Sequence, residues 1–490
     1  MANKTEGPIR ISNYINGKFV PSYVQSFASY SPSNGVINAW IPCSGQADVD
    51  QAVQAATNAF KSWSQTTSDL RRKILNQIAD QIEKNLEELA YLETMDQGKP
   101  LWQSKAVDIP RSVLNFRHFA NSLSYQKGTS IVEPESGIVN YTIEEPVGVV
   151  GLITPWNLPL YLLTFKLAPA IAFGNTVVAK PSELTSVTAF RLAQLLGQTD
   201  LPNGVINFVF GYGATVGEAI VNHADVKLIS FTGSTATGRR IAQQTASSFK
   251  RLSLEMGGKN AAIIFEDADL VNNVEKIARS VLFNSSQICL ATSRILVHES
   301  IYDQFLPKFI ECCRSFKIGD PFDSETKVSA MISKDHLAKV QGYVELARNT
   351  AQLTYIEPQL NEKNKQGFFT GIAIVTEVKH DSPLMTEEIF GPVVCVIKFK
   401  NETEAIEVAN STCYGLSSTI WTASLDRMHR VAHRIQSGTV WGNCWLQRNL
   451  NMPFGGVKQS GTGREGTDDS REFYTNKKTI CIALDLNSGH

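Results

Sequence analysis

From Val147 onward, short apolar runs alternate with amphipathic stretches, and this alternation restricts the fold more than any other feature of the chain. The runs are VGVVGLI (147–153), NTVVAK (175–180), VINFVF (205–210), LISFTG (228–233) and AAIIF (261–265). Each is too short for a buried helix and is apolar at successive positions, as a strand covered on both faces must be. The segments between them, such as 185–197 and 236–246, carry helical spacing. Strands and helices alternating at this length imply an α/β fold with a parallel sheet covered by helices on both sides. A second series begins at Asp269, with RILVH (294–298), GPVVCVI (391–397) and SSTIWT (417–422) as strands. KKTICIAL (477–484) predicts a late strand that pairs with another part of the assembly. Ahead of the first series, the spacing predicts helices over 47–63 and 70–97, the latter stopped by Gly98.

A chain of 490 residues is too long for one core, so two or three domains are expected. There is no run of 18 apolar residues free of charge, so no membrane span is expected. The 46 basic and 47 acidic residues are interspersed, which argues against a nucleic-acid or anionic-membrane partner. Eight scattered cysteines without a CxxC spacing predict free thiols and a reducing compartment. Met1 to Val20 lacks the apolar core of a secretory leader, and Ser488-Gly489-His490 is not a peroxisomal signal. A cytoplasmic location is the expectation.

Several segments carry candidate chemistry. Thr232-Gly233-Ser234, followed by Thr235-Ala236-Thr237-Gly238, puts a glycine turn between a strand and a helix N-terminus. Such a turn offers backbone N–H groups and a positive dipole end to a phosphate, and it is equally an ordinary capped strand–helix turn. Gly211, Gly213 and Gly217 approach a GxGxxG spacing but miss it by one residue. Lys180 and Glu183 close a strand. An acid there can bind ribose hydroxyls and repel a 2′-phosphate, or can be half of a solvated charge pair. Cys289 sits among small polar residues before a strand, as either a reactive thiol or a packed one. Glu255 stands at a strand end before Gly257 and Gly258, where a carboxylate base has room to swing or a structural ion pair can form. His429 and His433 are four apart in a basic helix without the Glu of HExxH, so no metal site is expected.

Together these segments resemble the aldehyde dehydrogenase family along nearly the whole chain. The matching stretches are PWNLPLY (155–161), GNTVVAKPSE (174–183), FTGSTATG (231–238), LEMGGKN (254–260), NSSQICLATSR (284–294), EEIFGPV (387–393) and MPFGGVKQSGTGREG (452–466). The resemblance implies Cys289 as nucleophile and Glu255 as general base. It implies Asn157, with the Cys289 N–H, as the oxyanion hole. NAD is the implied cofactor. Its adenosine ribose would be held by Lys180 and Glu183, its pyrophosphate by Gly233, Ser234 and Gly238, and its nicotinamide ribose by Glu388 with Phe390 beside it. Trp156 would line the cofactor cleft. The implied fold has a Rossmann-like coenzyme domain over 1–122 and 144–257 and a second α/β catalytic domain over 258–469. A small β bridging element over 123–143 and 470–490 would make a homodimer or homotetramer by sheet extension.

Where the family usually has Gly, this chain has Ser286. If the backbone there takes a positive φ, Ser costs about 1 kcal/mol or more. DIPRSVLNFRHFA (108–120), PWNLPLYLLTFKLAPA (155–170), KPSELTSVTA (180–189) and NCWLQRNLNMPFGG (443–456) look like the subgroup that takes 2-aminomuconate and 2-hydroxymuconate semialdehydes. That resemblance implies a small aldehyde with a distant carboxylate, bound by Arg111 and Arg448, and a place in tryptophan–kynurenine catabolism. Other readings are a betaine or aliphatic aldehyde dehydrogenase, a non-catalytic binding member of the fold suggested by Ser286, and a CoA- or phosphate-acylating relative, against which Glu255 argues.

Overall fold

In a computed structural model, residues 7–20, 25–125 and 127–484 are described. The tripeptide Ser488–His490, position 126 and the outermost residues of the segments expected at 1–122 and 470–490 lie outside them.

Two large sheets carry the two series of apolar runs. In the first, five parallel strands run in the order Arg251–Glu255, Val226–Thr232, Val149–Ile153, Thr176–Lys180 and Ile206–Phe208. Val149–Ile153 and Thr176–Lys180 are buried at every position, which is why their sequences show no polar alternation. Numbered by appearance in the chain, the order is 5-4-1-2-3, the doubly wound pattern of a dinucleotide fold. Antiparallel strands extend it at both ends: Asn13–Ile15 and Lys18–Val20 at one, Gly461–Thr462 at the other.

The second sheet has seven strands ordered Gln352–Ile356, Ile372–Thr376, Val393–Phe399, Thr292–His298, Asn260–Ile264, Ser417–Trp421 and Thr439–Gly442. All its pairs are parallel except the first. A separate three-stranded sheet joins Thr475–Ala483, Ile138–Pro146 and Ser130–Glu133. The predicted late strand thus pairs within its own chain along nine residues, and among the described residues its other edge is open.

The helix at Gln46–Trp63 buries Val49, Ala52, Val53, Ala56 and Trp63 on one stripe. The expected helix over 70–97 is two helices, Ser68–Lys84 and Leu86–Gln97. The break is at Asn85, whose backbone leaves the helical region at φ −105° and ψ 22°; the Gln81 carbonyl accepts both its backbone N–H at 3.3 Å and its side-chain amide at 2.7 Å, which caps the first helix. Gly98, at φ +88°, closes the second helix in the left-handed region. Among the described residues, no helix is long and apolar enough to cross a membrane.

Candidate active site

The first sheet's order reverses between Val149–Ile153 and Val226–Thr232, and ligands of doubly wound sheets bind outside the strand C-termini at such a point. Pro155, Trp156 and Asn157 follow the first of these strands; Gly233 and Ser234 follow the second. Facing them are segments that enter the second sheet, with Cys289 ahead of Thr292–His298, and Glu388 and Phe390 ahead of Val393–Phe399. These residues line one cavity of about 190 Å³, together with Thr232, Met256, Gly257, His336 and Lys339. A second cavity, of about 290 Å³, has Cys289 in its wall with Arg111, Arg448, Tyr161, Phe283 and Phe454. Cys289 therefore stands where the two cavities meet.

The first cavity is walled by a glycine turn, a helix cap, an aromatic pair and a carboxylate. Ser234 accepts the Thr237 N–H at 3.2 Å as N-cap of helix Thr235–Thr245, and the Gly233 N–H is tied to the Glu255 carbonyl at 3.0 Å. Gly238 packs where a Cβ would lie 2.3 Å from Met256 Sδ. A Cβ on Gly257 would lie 2.1 Å from Glu388 Oε2, so only glycine lets that carboxylate stand there. Glu388 Oε1 accepts the Gly258 N–H at 2.9 Å. Burial pushes the Glu388 carboxyl above its ordinary range, opposed by that N–H, Lys339 and Lys259. Trp156 meets Phe390 and His336 edge-on, each at 5.3 Å between ring centroids. Phe390 itself has φ +64°, and its carbonyl accepts from His336 Nε2 at 2.7 Å. Burial lowers the His336 imidazole to about 4, so the ring is neutral at physiological pH.

Lys180 and Glu183 are not in the walls of either cavity. They pair with each other at 2.7 Å, and Glu183 Oε1 accepts the Gly213 N–H at 3.2 Å. Burial raises the Glu183 pKa, but Lys180 and the Gly213 N–H outweigh it and hold the carboxylate below its ordinary range. The near-GxGxxG segment is thus a π-turn, Gly213–Gly217, that orients this acid.

Cys289 is held by its backbone. Asn260 Nδ2 donates to the Cys289 carbonyl at 2.7 Å and to the Ala291 carbonyl at 2.8 Å, and Trp445 Nε1 donates to the Leu290 carbonyl at 3.0 Å. Burial, then the Glu388 and Glu255 carboxylates, push the thiol up to about 12, against the pull of Arg448. The resting thiol is therefore protonated and needs a base or a bound cation to become a nucleophile. The loop before it has three successive left-handed residues: Asn284 at φ +52°, Ser285 at +54° and Ser286 at +60°. Ser286 thus occupies the positive φ anticipated for the family's glycine, and its hydroxyl offsets part of the strain by donating to the Val281 carbonyl at 2.6 Å.

Glu255 lies outside both cavities. It is 5% exposed, and its Oε1 has no hydrogen-bond partner. Burial, then the neighbouring Glu465, raise its pKa well above the carboxylate range, while Lys166, Arg448 and Arg464 oppose. Lys166 bridges to Glu465 at 2.7 Å and to Ser230 at 2.9 Å.

In the larger cavity the Arg448 guanidinium stacks 3.6 Å from the Phe454 ring centroid and reaches the Tyr161 hydroxyl at 3.4 Å. Arg111 lies over the Tyr161 ring at 5.6 Å, and its Nε and Nη2 are buried without partners. Burial lowers the Arg111 pKa, with Tyr161 opposing and Arg448 adding to the shift. The acid on this wall, Asp108, is already bound to Lys99 at 2.6 Å. Two guanidiniums without a carboxylate partner share one small apolar cavity. Sequence reasoning missed Tyr161, Lys166, Glu465, His336 and Lys339. Of these, Tyr161, Lys166 and Glu465 lie inside the matching stretches; His336 and Lys339 do not.

The chain matches the family model described as "Aldehyde dehydrogenase family" over residues 19–480. It is 50% identical to the human protein named 2-aminomuconic semialdehyde dehydrogenase, covering 98% of this chain and 99% of that one. It is 40% identical to the 2-hydroxymuconic semialdehyde dehydrogenase of Pseudomonas sp. (strain CF600), over 97% and 99%. A solved indole-3-acetaldehyde dehydrogenase from P. syringae, a mutant in complex with NAD⁺, superposes with TM-score 0.94 at 36% identity, covering 98% of each chain.

Proposed function

The chain belongs to the aldehyde dehydrogenase family and is an NAD-dependent enzyme, and from that premise we propose that it oxidises a small aldehyde bearing a distant carboxylate. 2-Aminomuconate 6-semialdehyde, giving 2-aminomuconate in tryptophan–kynurenine catabolism, is the first candidate. The observation that carries this reading is the position of Cys289 at the junction of two cavities, one with the glycines, cap and carboxylate of a dinucleotide site, the other with two carboxylate-free arginines. The 2-hydroxy analogue is the second candidate, favoured by the Pseudomonas relative.

Bound NAD⁺ supplies the hydride acceptor. The turn of Gly233, Ser234 and Gly238 would lie against its pyrophosphate, Lys180 and Glu183 would hold its adenosine ribose, and Glu388 its nicotinamide ribose, with Trp156 and Phe390 walling the cleft. Glu183, kept ionised, repels a 2′-phosphate and so favours NAD over NADP. Glu255 takes the Cys289 thiol proton and passes it to solvent, Sγ attacks the aldehyde carbon as thiolate, and the oxyanion that forms is met by the Asn157 side chain and the Cys289 N–H. Loss of hydride from that carbon leaves a thioester on Cys289. Water then attacks the thioester carbonyl while Glu255 takes a proton, and the carboxylic acid leaves as the thiol is restored. Glu255 must swing toward Cys289 for this, and the adjoining Gly257–Gly258 pair supports that freedom.

Arg111 and Arg448 bind the far carboxylate, with Tyr161 steadying Arg448. The open edge of Thr475–Ala483 supports a homodimer or homotetramer built by sheet extension. Eight free thiols suit a reducing, cytoplasmic setting. The test is selectivity. Arg448→Met, and separately Arg111→Met, should each lower kcat/KM for the carboxylated aldehyde relative to an aliphatic one by about 10- to 100-fold, the worth of one charge-assisted contact. An equal loss on both substrates would refute the arginine clamp.

A further inference from the structure

We infer that Asn284 is a positioning residue for the oxyanion site, fixing the Asn157 backbone so that the Asn157 side chain stays free for the substrate oxygen. The inference rests on the role proposed above for Asn157. Among the described residues no hydrogen bond ties the Asn157 side chain, so its Nδ2, the group that can donate to an oxyanion, is uncommitted on the cavity wall it shares with Cys289, although the residue is only 3% exposed. Buried polar groups are rarely left unpaired, and a donor on a cavity wall is free to meet a ligand oxygen. Its backbone carbonyl, by contrast, is fully engaged. Asn284 Nδ2 donates to it at 3.1 Å and the Lys99 ammonium at 3.0 Å. Both lone pairs are taken, so the peptide plane that carries the side chain cannot turn.

Each donor is itself immobilised. Lys99 is wholly buried and bound to Asp108 at 2.6 Å, with Glu93 at 3.8 Å. Asn284 Oδ1 accepts from Gln103 Nε2 at 3.0 Å. The same Nδ2 also donates to the Gln287 carbonyl at 2.9 Å, in the loop that carries Cys289. One side chain thus ties the loop bearing the nucleophile to the loop bearing the proposed oxyanion donor. At φ +52° Asn284 sits in the left-handed region, which asparagine tolerates better than most residues. The neighbours lock the same loop elsewhere: Ser285 Oγ accepts the Ser329 N–H at 2.8 Å, and Gln287 Oε1 the Ile332 N–H at 2.9 Å. Catalytic geometry therefore depends on Asn284, which touches neither ligand.

Asn284→Gly isolates this role, because glycine takes φ +52° without strain and only the side chain is lost. The assay is a double-mutant cycle on kcat with Asn157→Ala. Asn157→Ala alone should lower kcat by about 100-fold or more, as loss of an oxyanion donor does. Asn284→Gly alone should lower kcat about 10-fold with both KM values nearly unchanged, because misplacement of a donor acts on the transition state, while Tm falls as buried partners are left unpaired. In the Asn157→Ala background it should cost less than about 2-fold. The same 10-fold loss in both backgrounds, or no loss in the otherwise native enzyme, overturns the inference. An Asn157→Ala enzyme of normal kcat overturns it too, through the oxyanion assignment itself. Gln103→Leu, which removes the anchor of Asn284 and nothing at the site, gives the same pattern at about 3-fold and serves if the glycine variant does not fold.

Discussion

Gly257→Ala puts a single methyl group where the proposed coenzyme site has no room for one. The added Cβ would lie 2.1 Å from Glu388 Oε2, 2.5 Å from its Cδ and 2.7 Å from its Oε1. All three are well inside van der Waals contact, so the carboxylate must leave. Its departure breaks the 2.9 Å bond from the Gly258 N–H and removes the acceptor proposed for the nicotinamide ribose. A hydrogen bond to a charged group is worth about 1.5–3 kcal/mol, which at 1.4 kcal/mol per decade predicts NAD⁺ binding about 10- to 100-fold weaker. The readout is the Kd for NAD⁺ from quenching of protein fluorescence, beside the same titration of Glu388→Gln. Gly257→Ala should equal or exceed the loss in Glu388→Gln, with Tm little changed. A Kd within about 3-fold of the parent, below even the weakest such bond, would refute both the clash and the ribose assignment.

The pH profile of thioester hydrolysis offers a second check. Glu255 acts as base only when ionised, and burial with Glu465 holds its pKa well above the carboxylate range, so the rate should rise with pH through that elevated pKa. Glu465→Gln removes a negative neighbour and should move the rising limb to lower pH; a limb that stays or moves up contradicts the assignment. At Ser286, relief of a left-handed backbone worth about 1–2 kcal/mol and loss of a hydrogen bond worth about 1 kcal/mol nearly cancel in Ser286→Gly. Ser286→Ala keeps the strain and loses the bond, so its Tm should fall below that of both Ser286→Gly and the parent, and the opposite ranking would refute the strain argument. Glu183→Ala should narrow the NAD-over-NADP preference in kcat/KM by about 10-fold or more, the scale of one charge interaction of 1.4 kcal/mol; an unchanged ratio removes Glu183 from cofactor choice.

Much of this architecture is legible in the chain because buried parallel strands write continuous apolar runs. Val149–Ile153 and Thr176–Lys180 needed no more than that. Local motifs likewise mark the turn at Gly233-Ser234 and the loop around Cys289. Contacts between distant segments leave no local trace. Lys166 meets Glu465 across 299 positions, and Asn284 reaches Asn157 across 127. The break at Asn85 leaves no mark for another reason: its apolar neighbours keep helical period straight through, and only the backbone of Asn85, at φ −105° and ψ 22°, departs from the helix. Nor does the LEMGG motif convey that Glu255 is buried beside Glu465 and absent from the walls of both cavities.

The central claim is that Cys289 oxidises a carboxylated aldehyde using NAD⁺. The most direct measurement is NADH formation by purified protein with 2-aminomuconate 6-semialdehyde, beside an aliphatic aldehyde of similar length, for the parent and for Cys289→Ala. The account predicts turnover of the semialdehyde at a kcat/KM at least about 10-fold above the aliphatic one, the worth of one charge-assisted contact, and none from Cys289→Ala. Equal or better turnover of the aliphatic aldehyde, or activity that survives loss of Cys289, would contradict it.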